Sequence, residues 1–291
     1  RQRQMCIRDR PEDVDYLVFP RLAALAEVAW TQPARKEWTA FLKGLDAYNE
    51  HLTAKGIVYA RSMYNIQHTV TPNNGMLEVE LECIRPDMEI HYTTDGSEPT
   101  ATSPLYEKIV PVKEALTLKG AIFAHGRQMG KTLILPVRWN LATAKPVLGT
   151  NPTEKLLTNG IRGSLKYSDF EWCSWADNDS VSFTIDLLKL EMLNTLILGC
   201  ITNNGMAIHK PASVRVEVSD DNSKFREAVV QSFTSEEIFR EGNFIENLSL
   251  KLGGTQARYV RVTAKGPGVC PASHVRPGQT SRIFFDEVML E

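Results

Sequence analysis

Hydrophobic positions fall into two textures along this chain of 291 residues. Up to about Gly56 they recur at helical spacing. Leu22, Leu25, Ala26 and Ala29 lead to Trp30, and Pro20 suits a first helical turn, where its missing N–H costs nothing. Beyond Pro33, the positions Trp38, Phe41, Leu42, Leu45, Tyr48 and Leu52 predict a second helix that stops at Gly56. Two helices with such wide apolar faces each need a partner. Leu22, Leu25, Trp38 and Phe41 are therefore expected to form an exposed apolar patch.

From about Ser62 the period changes to two. Leu77, Val79 and Leu81 alternate with Glu78, Glu80 and Glu82, a strand with one wet face. Ile90 to Thr94 is another, closed by the Asp95-Gly96 turn, and Leu116, Leu118 and Ala121 to Phe123 continue the pattern up to His125-Gly126. Several short strands in so short a stretch predict a small β-sandwich, followed by a linker over Ala142 to Pro146. Alternation resumes at Val181, Phe183 and Ile185 and at Val214, Val216 and Val218, ending at Asp220-Asp221-Asn222. Tyr259 to Val262 and Ile283 to Met289 are late strands, and the whole last segment suits a sandwich or jelly roll.

Composition narrows the function more than the fold. Apolar content of 43% and charged content of 23% are those of a globular protein. A net charge of -2 leaves no electrostatic footprint for nucleic acid, and no apolar run is long enough for membrane insertion. Cys6, Cys83, Cys173, Cys200 and Cys270 form no CxxC pair. The last four are expected to be buried free thiols, a Cys173–Cys270 bridge being the alternative. The six histidines are scattered, so neither a zinc site nor a triad is expected. Arg1 to Arg10, RQRQMCIRDR, lacks the apolar core of a signal peptide. Its Met-Cys-Ile-Arg-Asp-Arg resembles a translated transposon-end sequencing adapter, so the protein proper is expected to begin near Pro11, within a longer gene.

Three segments resemble known families. PEDVDYLVFPRLAALAEVAW, Pro11 to Trp30, resembles the end of the catalytic barrel of glycoside hydrolase family 20, and Trp38 to Ile57 matches its continuation. IHYTTDGSEPTATSPLY, Ile90 to Tyr106, looks like the chitobiase-type C-terminal sandwich. LTNGIRGSLKYSDFEWCSW, SVRVEVSDDNSKF, ARYVRVTAKG and FFDEVMLE are similar to the discoidin-like, F5/8 type C domain. The resemblance implies a mainly β chain: residues 11–61 as the last helices of a truncated (β/α)8 TIM barrel, 62–143 as an Ig-like sandwich, and 146–291 as a discoidin-like jelly roll.

The activity that the resemblance implies is that of a secreted β-N-acetylhexosaminidase. Such enzymes remove terminal N-acetylhexosamine by substrate assistance: the sugar's acetamido oxygen attacks, an Asp orients it and a Glu protonates the leaving oxygen. That Asp-Glu pair would lie upstream of this chain, at barrel strand ends. No catalytic residue and no catalytic cofactor is therefore expected here, and Glu27 reads as a structural helix residue. The parent is expected in the periplasm or outside the cell, acting on glycans that bear N-acetylhexosamine. Accessory modules of another glycosidase, such as an α-fucosidase, or a non-enzymatic glycan-binding or adhesion protein, are the rival readings. Helices without partners argue against the last.

Two candidate sites remain in the last segment. Sugar binding needs an aromatic face and a few polar groups in a depression; the candidates are Trp172, Trp175, His209, Lys210, His274 and Arg276. The two tryptophans suit the core as well, whereas His209-Lys210, after a Gly205 turn, is expected to be exposed. Discoidin-like relatives carry a structural calcium, and the resemblance places its ligands at Asn159, Ser164 and Glu287. Asn159 departs from the carboxylate usual there, and a capped turn beside a solvated strand residue is the other reading of those positions. Glu236-Glu237 reads as solvated.

Overall fold

The computed structural model describes residues 10–85, 87–175 and 180–291. Most of the adapter-like start, Cys6 included, lies outside the described residues. The chain is mainly β, built of three sheets with few helices. Among the described residues no helix is long and apolar enough to cross a membrane.

Three helices open it: α1 (Pro11–Val18), α2 (Arg21–Trp30) and α3 (Trp38–Ala54). The sequence reading missed α1, a helix of only eight residues that buries none of them. Pro20 sits at the N-cap of α2 rather than inside its first turn. Helix α3 begins where the Glu37 carboxylate accepts the Ala40 N–H at 2.9 Å, and it buries Leu42, Leu45, Asn49 and Leu52. The other faces stay open. Leu22, Leu25, Val28, Trp30 and Trp38 are exposed, Trp30 by 87%, and Phe41 is half-buried. Of the patch expected from the spacing, Leu22 and Phe41 line a groove between α2 and α3 together with Ala26, Trp30 and Glu27, whereas Leu25 and Trp38 are exposed outside it.

A buried arginine fastens α3 to the strands that follow. Arg85 donates to both carboxylate oxygens of Asp46 on α3, at 2.6 Å each, and to Asp87 at 2.8 and 2.9 Å. Tyr64 donates its hydroxyl to Asp46 at 3.1 Å, and burial pushes that phenol up to about 12. Such a two-sided fork is the geometry that guanidinium offers and ammonium does not.

Strands β1 (Ile66–Asn73), β2 (Met76–Cys83), β3 (Glu89–Thr93), β4 (Val110–Val112), β5 (Leu116–Ala124), β6 (Arg127–Gln128) and β7 (Leu133–Val137) form two facing sheets. One has the order β1-β2-β4; in the other, β3, β6 and β7 all pair with β5. Leu77, Val79 and Leu81 point into the shared core with Leu118, Ile122 and Leu135, as the alternation required. Gly96 takes a positive φ of 78° where Asp95 accepts the Ser97 N–H, which is why Asp-Gly closes β3.

The larger sandwich holds β8 (Val147–Leu148), β9 (Cys173–Trp175), β10 (Ser180–Asn203), β11 (Ser213–Ser219), β12 (Arg226–Ser232), β13 (Asn243–Lys265) and β14 (Ile283–Leu290), with a short helix α4 (Ser235–Ile238). Strands β10 and β13 run through both layers. Their register shifts between Asp186 and Glu191 and again between Leu193 and Thr195, with Gly253 and Gly254 at positive φ opposite. Strands that switch layers at such irregularities make the corners of a sandwich. The first half of β10 lies beside β8, and the second half beside β14. Between the layers, Val181, Phe183, Ile185, Val214, Val216 and Val218 meet Leu196, Leu198, Leu248, Phe285 and Val288.

The stretch read as a linker is packed between the two sandwiches. Ala142 and Ala144 are fully buried, the Ala144 N–H donates to the Thr158 carbonyl at 2.8 Å, and Gly75 donates to the Ala144 carbonyl. Ile161 of the second sandwich packs into the first core, and His68 Nε2 lies 2.9 Å from the Glu171 carboxylate. Small residues there allow close approach instead of flexibility. Cys83, Cys173, Cys200 and Cys270 are all free, so Cys173 and Cys270 are not bridged.

Candidate functional site

Two clusters of polar groups are buried in the larger sandwich. The first surrounds the middle of β14. Asp286 and Glu287 are both fully buried, which corrects the picture of Glu287 as a solvated strand residue. Arg162 donates to Asp286 at 2.6 Å through Nε and to Asn247 at 2.8 Å through Nη2. Among the described residues the Glu287 carboxylate accepts the Gly160 N–H, at 3.1 and 3.2 Å, with the Asn140 amide nearby. Burial, then the neighbouring Asp286 charge, pushes the Glu287 carboxyl well above its ordinary range.

Asn159 stands beside that amide. Its Oδ1 accepts the Ile161 N–H at 2.9 Å, and its Nδ2 donates to Glu171 at 3.2 Å. Ser164 is exposed: its hydroxyl accepts the Lys166 N–H and its carbonyl accepts the Trp172 indole N–H. Asn159 and Glu287 thus meet across Gly160, while Ser164 faces the loop.

The second cluster lies where β10 leaves the sheet. Asn203 and Ile208 form a bridge around Gly205, and Ala207 takes a φ of 52°. His209 donates its backbone N–H to the Arg282 carbonyl at 3.0 Å, which draws it under the loop ending at Arg282. That loop folds on itself: Cys270 donates to the Gln279 carbonyl and Ser281 to the Gly268 carbonyl, each at 2.9 Å. The result places His209 Nε2 3.2 Å from His274 Nε2, with Cys270 beside them. Phe239 packs against both rings. Burial, with the His274 charge second, lowers the His209 imidazole to about 4.

These positions revise the sugar-binding candidates. His209, expected at the surface, is completely buried, and Lys210 and His274 are also buried. The physical reason is the paired loop above them, which a local turn signal at Gly205 cannot reveal. Lys210 reaches Glu246 at 3.2 Å and lies over the Phe233 ring. Trp172 and Trp175 are core residues, Trp175 stacking on Phe183 at 6.1 Å. Arg276 alone of the six is exposed. Glu236 and Glu237 are exposed as read; Glu237 completes a capping box with Thr234 at the start of α4.

Sequence reasoning missed two features. Phe170 is 89% exposed and holds a φ of 71°, a backbone region that bulky residues avoid. It also missed the convergence of His209, Cys270 and His274, whose one local signal was Cys270 four positions before His274.

Comparison with known proteins accords with this architecture. Residues 72–133 match the chitobiase/beta-hexosaminidase C-terminal domain, and residues 142–275 match the F5/8 type C domain. A beta-hexosaminidase of Porphyromonas gingivalis is 33% identical over 114 residues, covering 36% of this chain. The match spans only 14% of that relative's length. Among solved structures, the chain is similar to CpGH89CBM32-6 produced by Clostridium perfringens at 18% identity, covering 53% of this chain and 98% of that one, with a TM-score of 0.35. A fucose binding module of Streptococcus pneumoniae gives 19% identity, 53% and 97% coverage, and a TM-score of 0.36. The C-terminal domain of a Bacteroides fragilis chitobiase gives 15%, 45% and 76%, and 0.28. The chain therefore carries, in this order, a chitobiase/beta-hexosaminidase C-terminal domain and an F5/8 type C domain, accessory domains of the glycosidase kind that resemble the C-terminal portion of a β-hexosaminidase.

Proposed function

We propose that this chain is the non-catalytic C-terminal portion of a β-N-acetylhexosaminidase that trims terminal N-acetylhexosamine from glycans in the periplasm or outside the cell. The observation that carries the reading is the apolar face of α2 and α3. Leu22, Leu25, Val28 and Trp30 lie open to water, while Arg85 fixes α3 to a domain of the hexosaminidase type. Helices so anchored, with that face open, suit docking on a catalytic barrel. Hydrolysis of a chromogenic β-N-acetylglucosaminide tests this. The chain alone should be inactive, and the same chain extended upstream with its genomic sequence should cleave. Cleavage by the chain alone would overturn the reading.

In this proposal the F5/8 type C domain holds glycan through its loops. Phe170 supplies the stacking face, exposed and paired with no other ring among the described residues. Phe170→Gly relieves the left-handed backbone and is expected to raise stability by about 1 kcal/mol. It should also abolish retention on immobilised N-acetylhexosamine glycans. Undiminished retention by a folded variant would remove Phe170 from the site.

A structural calcium belongs to the same proposal. Glu287 supports it, since Arg162 is committed to Asp286 and no cationic side chain bonds Glu287 among the described residues. Asn159 and Glu287 would hold the ion, and Ser164 would join after giving up the Lys166 amide. Calcium supplies charge neutralisation there and no chemistry. Millimolar calcium is expected to raise the melting midpoint and chelation to reverse it, with Glu287→Gln insensitive to both. An unchanged midpoint would exclude the ion.

A further inference from the structure

We propose that His209, Cys270 and His274 form a zinc site that clamps the loop of residues 266–282 onto the larger sandwich. The three ligand atoms lie within 4.8 Å of one another, and all three side chains are buried. The spacing of the nitrogens is the first argument. An ion holding two imidazoles at about 2.0–2.1 Å with tetrahedral angles separates them by about 3.3–3.4 Å. The two Nε2 atoms are 3.2 Å apart. Trigonal coordination would spread them further. Ser281 Oγ is buried and lies 3.4 Å from Cys270 Sγ, beside the cluster.

The donor set points to the metal. Two imidazoles and one thiolate are borderline-soft ligands, suited to zinc and unsuited to calcium or magnesium. The surroundings also fit. His209 Nδ1 is buried with no hydrogen-bond partner among the described residues, the Ile238 backbone lies near the ring, and a zinc-bound histidine directs its second N–H to a carbonyl or carboxylate. Phe239 closes the site against both rings.

Loading has a definite proton balance. The Arg276 N–H donates to His274 Nδ1 at 3.0 Å, which puts the His274 proton on Nε2, shared with His209. Zinc takes both Nε2 lone pairs and the Cys270 thiolate. The thiol proton leaves to solvent, and the His274 proton moves to Nδ1, which frees the Arg276 amide. One proton is therefore released per ion, and the turn at residues 274–276 reopens.

The experiment uses the full chain, stripped with chelator and titrated with zinc or cobalt(II). Cobalt should give a thiolate charge-transfer band and tetrahedral absorption that saturate at one equivalent. Zinc should displace it and raise the melting midpoint by about 5–10 °C at hundredfold excess over Kd. Cys270→Ser and His274→Gln, each shown to be folded by circular dichroism, should lose the band and the shift, whereas Glu236→Gln, at an exposed position, should keep both. Absence of the band, an equal shift in folded Cys270→Ser, or occupancy by copper(I) with none by zinc would each overturn the assignment.

Discussion

Arg85→Met is expected to cost about 3 kcal/mol of stability, because it leaves two carboxylates facing a site built for one guanidinium. The Arg85 side chain is fully buried, while those of Asp46 and Asp87 keep 32% and 43% exposure. Water can therefore recover part of the lost solvation, which places the cost at the lower end for a broken buried pair. Arg85→Lys should recover little, since one ammonium cannot serve four oxygens at once. Urea unfolding measures the loss, and hydrogen exchange locates it. Amides of α3 should lose protection before those of β10, because Arg85 joins α3 to the first sandwich and not to the second. A loss under 1 kcal/mol would show that Leu42, Leu45 and Leu52 hold the helix unaided.

Gly199→Ala should be as damaging, for a steric reason. A Cβ at position 199 would fall inside contact distance of the Asp286 carboxylate and 2.5 Å from Arg162 Nη2. Neither neighbour can yield. Asp286 is held by Arg162 and by the Gly163 and Glu287 amides, and it is a fully buried residue of β14, the strand paired with β10. Overpacking alone costs about 1–3 kcal/mol, and parting the Arg162–Asp286 pair adds to it. Gly44→Ala on α3 is the matched control, with open space around its Cβ and a helical position that favours alanine by about 1 kcal/mol. Thermal melts should move in opposite directions for the two variants. A neutral Gly199→Ala would mean that the pair shifts freely and the cluster is not tightly packed.

Strands were legible wherever one face is wet. Glu78, Glu80 and Glu82 between Leu77, Val79 and Leu81 leave only one orientation, and Val214, Val216 and Val218 do the same for β11. Length was not legible. Strand β10 runs on for 24 residues because its alternation breaks between Asp186 and Glu191, where the backbone turns a corner and resumes in the other layer. A sequence window reads that break as an end. The packing of Ala142 to Ala144 was hidden for the opposite reason: small residues show no face of their own, and only the partner surfaces reveal their burial.

The polar sites were less legible still, because depth is a tertiary property. His209 and His274 are 65 positions apart, and nothing near either one announces the other. Asp286 and Glu287 look like a surface pair until Arg162 and the Gly160 amide are placed against them. Trp172 and Trp175 were readable as core because large rings between strands rarely stand free.

The position of β14 has a consequence for how the protein is made. It lies between β9 and β10 in the sheet order, and the Leu290 carbonyl accepts the N–H of Leu141 at the junction of the two sandwiches. Chains emerge from the ribosome N-terminus first, at about 5–20 residues per second. The first sandwich can close while the second is still being synthesised. The second cannot, because β9 and β10 have no strand between them until residues 283–290 have emerged. During that interval both present unpaired backbone edges, the state in which a nascent chain most needs a holdase.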